Sequence, residues 1–256
     1  MTGRGAAPGE GARSGGLADA AAAAIGFLTV LSVPEDRAAR GRSRATLFFP
    51  WVGLGLGALA LALLRTPLDT TLSAVLAVAV LALATGGLHW DGWADVVDAT
   101  VTPGVSRERR IEILRDPHVG AHAALGVALL ALVRVLGLAR APAWAILLGP
   151  VMGRWSMVAT LRWAPPLGEY GAGATLRPDA RPVGAALAPA VLIAAFSWLG
   201  VPPAHVGVAL AIGALAALVV AAFVVRRLGG MNGDAHGAVG LLVESLVWVI
   251  GAELVR

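Results

Sequence analysis

Seven mostly apolar runs, each close to 20 residues long, dominate this chain: 47–64, 72–88, 119–139, 143–161, 183–201, 205–225 and 239–255. Crossing a hydrocarbon core of roughly 30 Å takes about 20 apolar residues in a helix. Backbone groups inside lipid must be satisfied within the segment itself, so such runs restrict the chain to a helical bundle. Only the last run contains acids, Glu244 and Glu253. A mean hydropathy of +0.77, with 14% charged residues, excludes a water-surrounded globule of ordinary composition. The expected fold is all-α, a polytopic transmembrane bundle of about six to eight membrane helices forming one catalytic domain over 17–256. Residues 1–16 are rich in Gly and Ala and lack periodicity, which reads as a disordered leader. The run at 17–33 is only marginally apolar and is expected to lie in the interface.

Arginine distribution orients the bundle. If all seven runs cross, the connections 34–46, 89–118, 162–182 and 226–238 share one side and hold thirteen arginines, among them Arg177. The other side holds only Arg65, Arg140 and Arg256. The positive-inside rule places the long, Arg-rich connections in the cytoplasm, and with them the active site of a multi-pass protein of the plasma or inner membrane. The basic residues are scattered between apolar runs rather than gathered in a patch, so no nucleic-acid partner is expected. The partners implied are the bilayer and small-molecule substrates, with assembly into a homo-oligomer left open.

The chemistry concentrates in GGLHWDGWADVVDA at 86–99. On a helix advancing about 100° per residue, Asp95 lies about 40° and Asp98 about 20° from Asp91, so three carboxylates share one face. Mutual repulsion and desolvation make such a stripe costly at the edge of a bilayer, and a divalent cation removes both penalties. The chain has no cysteine, which excludes disulfides, thiol catalysis and thiolate metal sites. Oxygen-only donors suit a hard ion, Mg²⁺, which keeps waters and binds substrate phosphates. The expected metal ligands are therefore Asp91, Asp95 and Asp98. The plainer reading is a solvated helix end whose acids are neutralised by the arginines at 107–115.

Three further stretches supply candidates. LGGMNGDAHGA at 228–238 brings Gly230 and Gly233 together with Asp234 and His236. A glycine loop before a helix can cradle phosphate oxygens with its N–H groups, and Asp234 adds a carboxylate for metal. In RRIEILRDPHVGAHAALG at 109–126, Arg115 is read as a phosphate ligand and Asp116 as an addition to the acidic mouth. Two arginines lie inside apolar runs. Arg154, among Gly and Ser, is the candidate phosphate ligand, whereas Arg134 is read as structural, snorkelling at the far boundary.

With these residues in view, the chain resembles the cobalamin synthase family, the adenosylcobinamide-GDP ribazoletransferases. The likeness runs over roughly 20–250 through FLTVLSVP at 27–34, FFPWVGLGLG at 48–57, TGGLHWDGWADVVDA at 85–99, EILRDPHVGAHAALG at 112–126, Arg154 and LGGMNGDAHGAVGLLVE at 228–244. Its most specific part is HxDGxADxxD, matched by His89, Asp91, Gly92, Asp95 and Asp98. Ser32 departs from a usual proline, Pro117 and His118 from a usual Ser-Arg, and Leu241 from an acidic residue that leaves Glu244 alone. The resemblance implies a Mg²⁺-dependent phosphotransfer in which α-ribazole, or its 5′-phosphate, takes the cobinamide-linked phosphoryl of adenosylcobinamide-GDP and GMP departs. The catalytic residues expected are Asp91, Asp95 and Asp98 with His89, either Asp98 or His89 serving as base.

Two other readings compete. A CDP-alcohol phosphotransferase also uses an acidic DG motif, of the form D-x₂-D-G-x₂-A-R, but here Ala94 is followed by Asp95 and position 88 is leucine. A cation transporter would place its acids near the bilayer midplane among broken helices rather than at one mouth.

Overall fold

A computed structural model describes residues 15–168, 176 and 181–256. Most of the leader, 1–14, and Arg177 lie outside the described residues. In chain order the elements are α1 (Leu17–Leu28), α2 (Glu35–Gly41), a 3₁₀ segment (Arg42–Phe48), α3 (Phe49–Leu64), α4 (Thr70–Ala84), α5 (Leu88–Val101), α6 (Arg107–Ile113), α7 (Ala121–Arg140), α8 (Ala143–Trp163), α9 (Pro182–Ala185), α10 (Leu187–Trp198), α11 (Pro203–Leu228) and α12 (Gly233–Leu254). The all-helical expectation holds among the described residues.

The expected six to eight membrane helices are not confirmed. Among the described residues four stretches are long and apolar enough to cross, Glu35–Leu64, α7, α11 and α12, and α4 with α5 would make a fifth as one bent span. The run 183–201, expected to cross, carries only the shorter apolar helix Val183–Trp198, and 17–33, expected in the interface, carries the 12-residue α1. At 1.5 Å per residue α1 covers about 18 Å, short of the core. α1 is instead tied down on the surface, where its Asp19 accepts from Arg37 Nε at 3.2 Å and Arg40 Nε at 3.4 Å.

α8 has the length of a span, 21 residues, but carries Pro150 and Arg154 and is not among the four. Its position explains its composition. Sixteen of its residues are buried, because α3 packs along one side of it and α12 along another. A helix enclosed by protein need not be apolar toward lipid. Small residues bring the backbones close. A Cβ at Gly153 would stand 2.6 Å from the Gly240 carbonyl oxygen, and one at Gly57 3.0 Å from that of Ile146. Trp248 of α12, fully buried, fills the space between α8 and the layer formed by α3, α4 and α7.

α11 and α12 are joined by a four-residue turn that clamps onto the end of α8. Met231 N–H donates to Pro165 O and Leu167 N–H to Met231 O, both at 2.9 Å. The side chain of Asn232 caps α12 by accepting from Ala235 N–H at 3.0 Å. This turn fixes where α12 begins, and the first turn of α12 is one wall of the site.

Candidate active site

The aspartate helix owes its placement to the corner before it. Gly86 (φ 61°) and Gly87 (φ 70°) both adopt left-handed backbone, a conformation that costs side-chain-bearing residues and suits glycine. Two such residues in succession turn the chain by 93° between α4 and α5. α5 then runs against α12, and Gly92 is the point of closest approach: a Cβ there would lie 2.7 Å from the Asp234 carbonyl oxygen. Asp91 and Asp95 of α5 are thus set beside Asp234 of α12. The charges of Asp91, Asp234 and Asp98 all act on Asp95, and that of Asp91 acts on Asp234. Asp91 is exposed, and Asp95 and Asp234 are half-buried.

These carboxylates are not neutralised by the arginines that follow in sequence. Among the described residues none of Asp91, Asp95, Asp98 and Asp234 forms an ion pair. α6 directs its arginines elsewhere. Arg110, buried, donates to Ala99 O at 2.8 Å and Thr100 O at 3.0 Å, closing the carboxyl end of α5. Arg107 Nε donates to Leu228 O at 2.8 Å, closing α11. Among the described residues, no three His, Asp or Glu side chains stand together closely enough to enclose a metal ion. The donor set is nonetheless all oxygen, and it matches the mode in which Mg²⁺ uses one or two carboxylates and completes its shell with water and substrate phosphate.

Asp98 has a different role from its neighbours. It is 8% exposed, and its two oxygens accept backbone N–H groups from the start of α7, Oδ2 from Gly120 at 2.6 Å and Oδ1 from Ala123 at 2.9 Å. Gly120 itself lacks a side chain to cap α7, so α5 supplies the cap from outside the helix. The position expected of a metal ligand or base is therefore occupied by a helix-capping carboxylate. Asp98→Ala is expected to cost about 1–2 kcal/mol of stability by removing that cap, measured as a lowered midpoint of thermal unfolding; an unchanged midpoint would contradict this assignment.

The remaining candidates separate. His89 is 3% exposed and sits below the aspartates in the bundle, with Gly237 packed on its ring, away from the open mouth. Arg154 is 3% exposed and paired with Glu244, so its charge is committed inside the protein rather than offered to phosphate. Arg134 does not snorkel: it is 1% exposed, lies 2.6 Å from the other Glu244 oxygen, and is flanked by the rings of Trp90 and Trp248. Asp116 does not join the acidic mouth. It accepts from His118 N–H at 3.0 Å and meets the His118 ring at 2.6 Å, contacts that lower its pKa and close the turn after exposed Arg115. Gly230 is bare because the Pro166 backbone packs on it, within 2.6 Å of where a Cβ would stand. Gly233 is exposed at the first turn of α12 and remains available to an anion. His236 is buried against α8, its Nδ1 2.9 Å from Thr160 Oγ1.

Fold and site together define a polytopic helical membrane protein with unpaired carboxylates from two helices gathered at one end of its bundle. The family model described as cobalamin-5-phosphate synthase matches residues 20–252, and the chain belongs to that family. Curated relatives carry the name adenosylcobinamide-GDP ribazoletransferase. That of Herpetosiphon aurantiacus is 34% identical over 245 residues, covering 92% of this chain and 96% of the relative. That of Synechococcus elongatus is 35% identical, covering 89% and 93%, and that of Deinococcus radiodurans 35% identical, covering 88% and 82%. No solved structure matches this chain.

Proposed function

We infer that this chain joins adenosylcobinamide-GDP to α-ribazole, or to its 5′-phosphate, giving adenosylcobalamin or its 5′-phosphate and releasing GMP. Family membership over 20–252 supports the reaction, and the approach of Asp91 and Asp95 to Asp234 supplies a place for it. A free ribose hydroxyl oxygen of the ribazole, other than the 5′ oxygen that carries phosphate in the 5′-phosphate form, bonds to the phosphorus that carries cobinamide. The bond from that phosphorus to the bridging oxygen breaks, and GMP leaves with the oxygen. Phosphoryl transfer asks little covalent work of a protein and much positioning and charge neutralisation. Asp95, half-buried beside Asp91, is placed to take the hydroxyl proton. Gly233 at the first turn of α12 offers backbone N–H to a phosphate oxygen. Mg²⁺ held by one or two of the carboxylates Asp91, Asp95 and Asp234 would offset charge on the diphosphate. The test is direct: purified protein with adenosylcobinamide-GDP, α-ribazole and Mg²⁺ releases GMP, and a protein that releases none refutes the assignment.

Neither competing reading is favoured by the family. CDP-alcohol turnover, or cation flux into vesicles without GMP release, would restore one of them.

The mouth faces the cytoplasm in this reading, because Arg107, Arg109, Arg110, Arg162, Arg226 and Arg227 lie at the end where α12 begins, and Arg65 and Arg140 at the other. The chain has no cysteine, which makes a labelling test clean. In intact cells an impermeant maleimide is expected to label Leu68→Cys and to miss Glu108→Cys, both exposed positions, until the membrane is permeabilised. The reverse pattern would invert the topology.

A further inference from the structure

Below the aspartates, four helices and the α4–α5 corner enclose a cavity of about 10 Å³ lined by Thr85, His89, Trp90, Arg134, Arg154 and Glu244 among others. The ionic groups around it are bonded at their far ends. Glu244 takes Arg134 on one oxygen and Arg154 on the other, and Arg134 Nη1 also donates to Ser245 Oγ at 3.0 Å. Three nitrogens are left over: His89 Nε2, Arg134 Nε and Arg154 Nε are all buried without a partner. Each belongs to a residue no more than 3% exposed, and each residue lines the same cavity. A buried polar nitrogen without a partner loses the free energy of its hydration, so three on residues that line one small space call for a shared ligand.

The geometry points to a site for one buried water that accepts from Arg134 Nε–H and Arg154 Nε–H and donates to His89 Nε2. The volume is about that of a single water. Water also matches the inventory: the two arginine nitrogens can only donate, and neutral imidazole can accept. A halide would answer the surplus of two guanidinium groups over one carboxylate, and the chloride exchange below distinguishes it from water. The bridge would tie α5, through His89, to α7, α8 and α12 at once. His89 is then a positioning residue that fixes the depth and rotation of α5, two residues before Asp91 in the helix that also presents Asp95.

The kinetic arm of the test rests on the transfer reaction inferred above, and the thermal arm does not. His89→Gln keeps an amide group near the place of Nε2, whereas His89→Leu keeps bulk alone. The Leu variant is expected to unfold several degrees lower than the parent. It is expected to lose about tenfold to a hundredfold in kcat, with KM for adenosylcobinamide-GDP unchanged, the mark of displaced but intact chemistry. The Gln variant is expected to stay within about threefold of the parent in kcat and close to it in unfolding midpoint. The proposal is overturned if the Leu variant matches the parent in both readouts, if Gln falls as far as Leu, or if KM rises instead of kcat falling. It is also overturned if exchanging chloride for gluconate shifts the parent's midpoint, which would make the occupant an anion. Should the parent release no GMP, the reaction reading fails, and the three unfolding midpoints with the chloride exchange still decide the water.

Discussion

Alanine at Asp91 or at Asp95 is expected to lower GMP release by about 10²–10³-fold, the usual consequence of removing one group that stabilises charge in a transition state. Stability is expected to change in the opposite sense or not at all. Asp91 is exposed, Asp95 is half-buried, neither has a basic partner, and each repels the other and Asp234. Removing one relieves that repulsion. A variant that is folded, at least as heat-resistant as the parent, and inactive separates a reacting group from a structural one. Asp98→Ala is the internal contrast, because that carboxylate holds α7 and its loss is expected to appear first in stability. Full turnover by Asp91→Ala and by Asp95→Ala would remove the carboxylate cluster from the chemistry. A chelator is expected to stop the parent's reaction and added Mg²⁺ to restore it; GMP release that continues in chelator would remove the metal alone.

The sequence makes the long elements legible because lipid imposes a simple length and polarity code. The runs 47–64, 119–139 and 205–225 become Phe49–Leu64, Ala121–Arg140 and Pro203–Leu228, each within a few residues. The aspartate helix is legible for a similar reason, since spacings of four and three place carboxylates on one face whatever surrounds them. Asp234 beside that face was readable only as a suspicion, and Gly92 is the residue that makes it true. What local spacing cannot convey is the partner. Asp98 takes its N–H donors from 22 and 25 residues onward, and Arg154 meets a glutamate 90 residues away. Both read as free chemistry along the chain, and in the fold both are bonded to partners distant in sequence. The signal available was charge arithmetic: Arg134, Arg154 and Glu244 are the rare charges inside apolar runs, and such charges find one another.

That pairing leads to the largest expected loss of stability. Glu244 is 2% exposed and bridges two guanidinium groups that are 1% and 3% exposed. Ion pairs of this kind add little net stability when formed, since desolvation cancels much of the attraction, yet removing one partner strands the other charge. In Glu244→Ala two like charges are stranded side by side. The expected cost is about 3–5 kcal/mol, a large fraction of the roughly 5–15 kcal/mol that holds a typical domain together. Glu244→Gln keeps the shape and one acceptor but not the charge, so it is expected to fall between parent and alanine. The decisive comparison is a triple replacement, Arg134→Leu, Glu244→Leu and Arg154→Leu, which removes every charge at once and is expected to recover most of the loss. Thermal unfolding in a single detergent reads all four proteins. If Glu244→Ala melts with the parent, the buried cluster is not held by its carboxylate. If the triple variant melts as low as the alanine variant, stranded charge is not the reason the alanine variant fails, and the cavity left by three long side chains is.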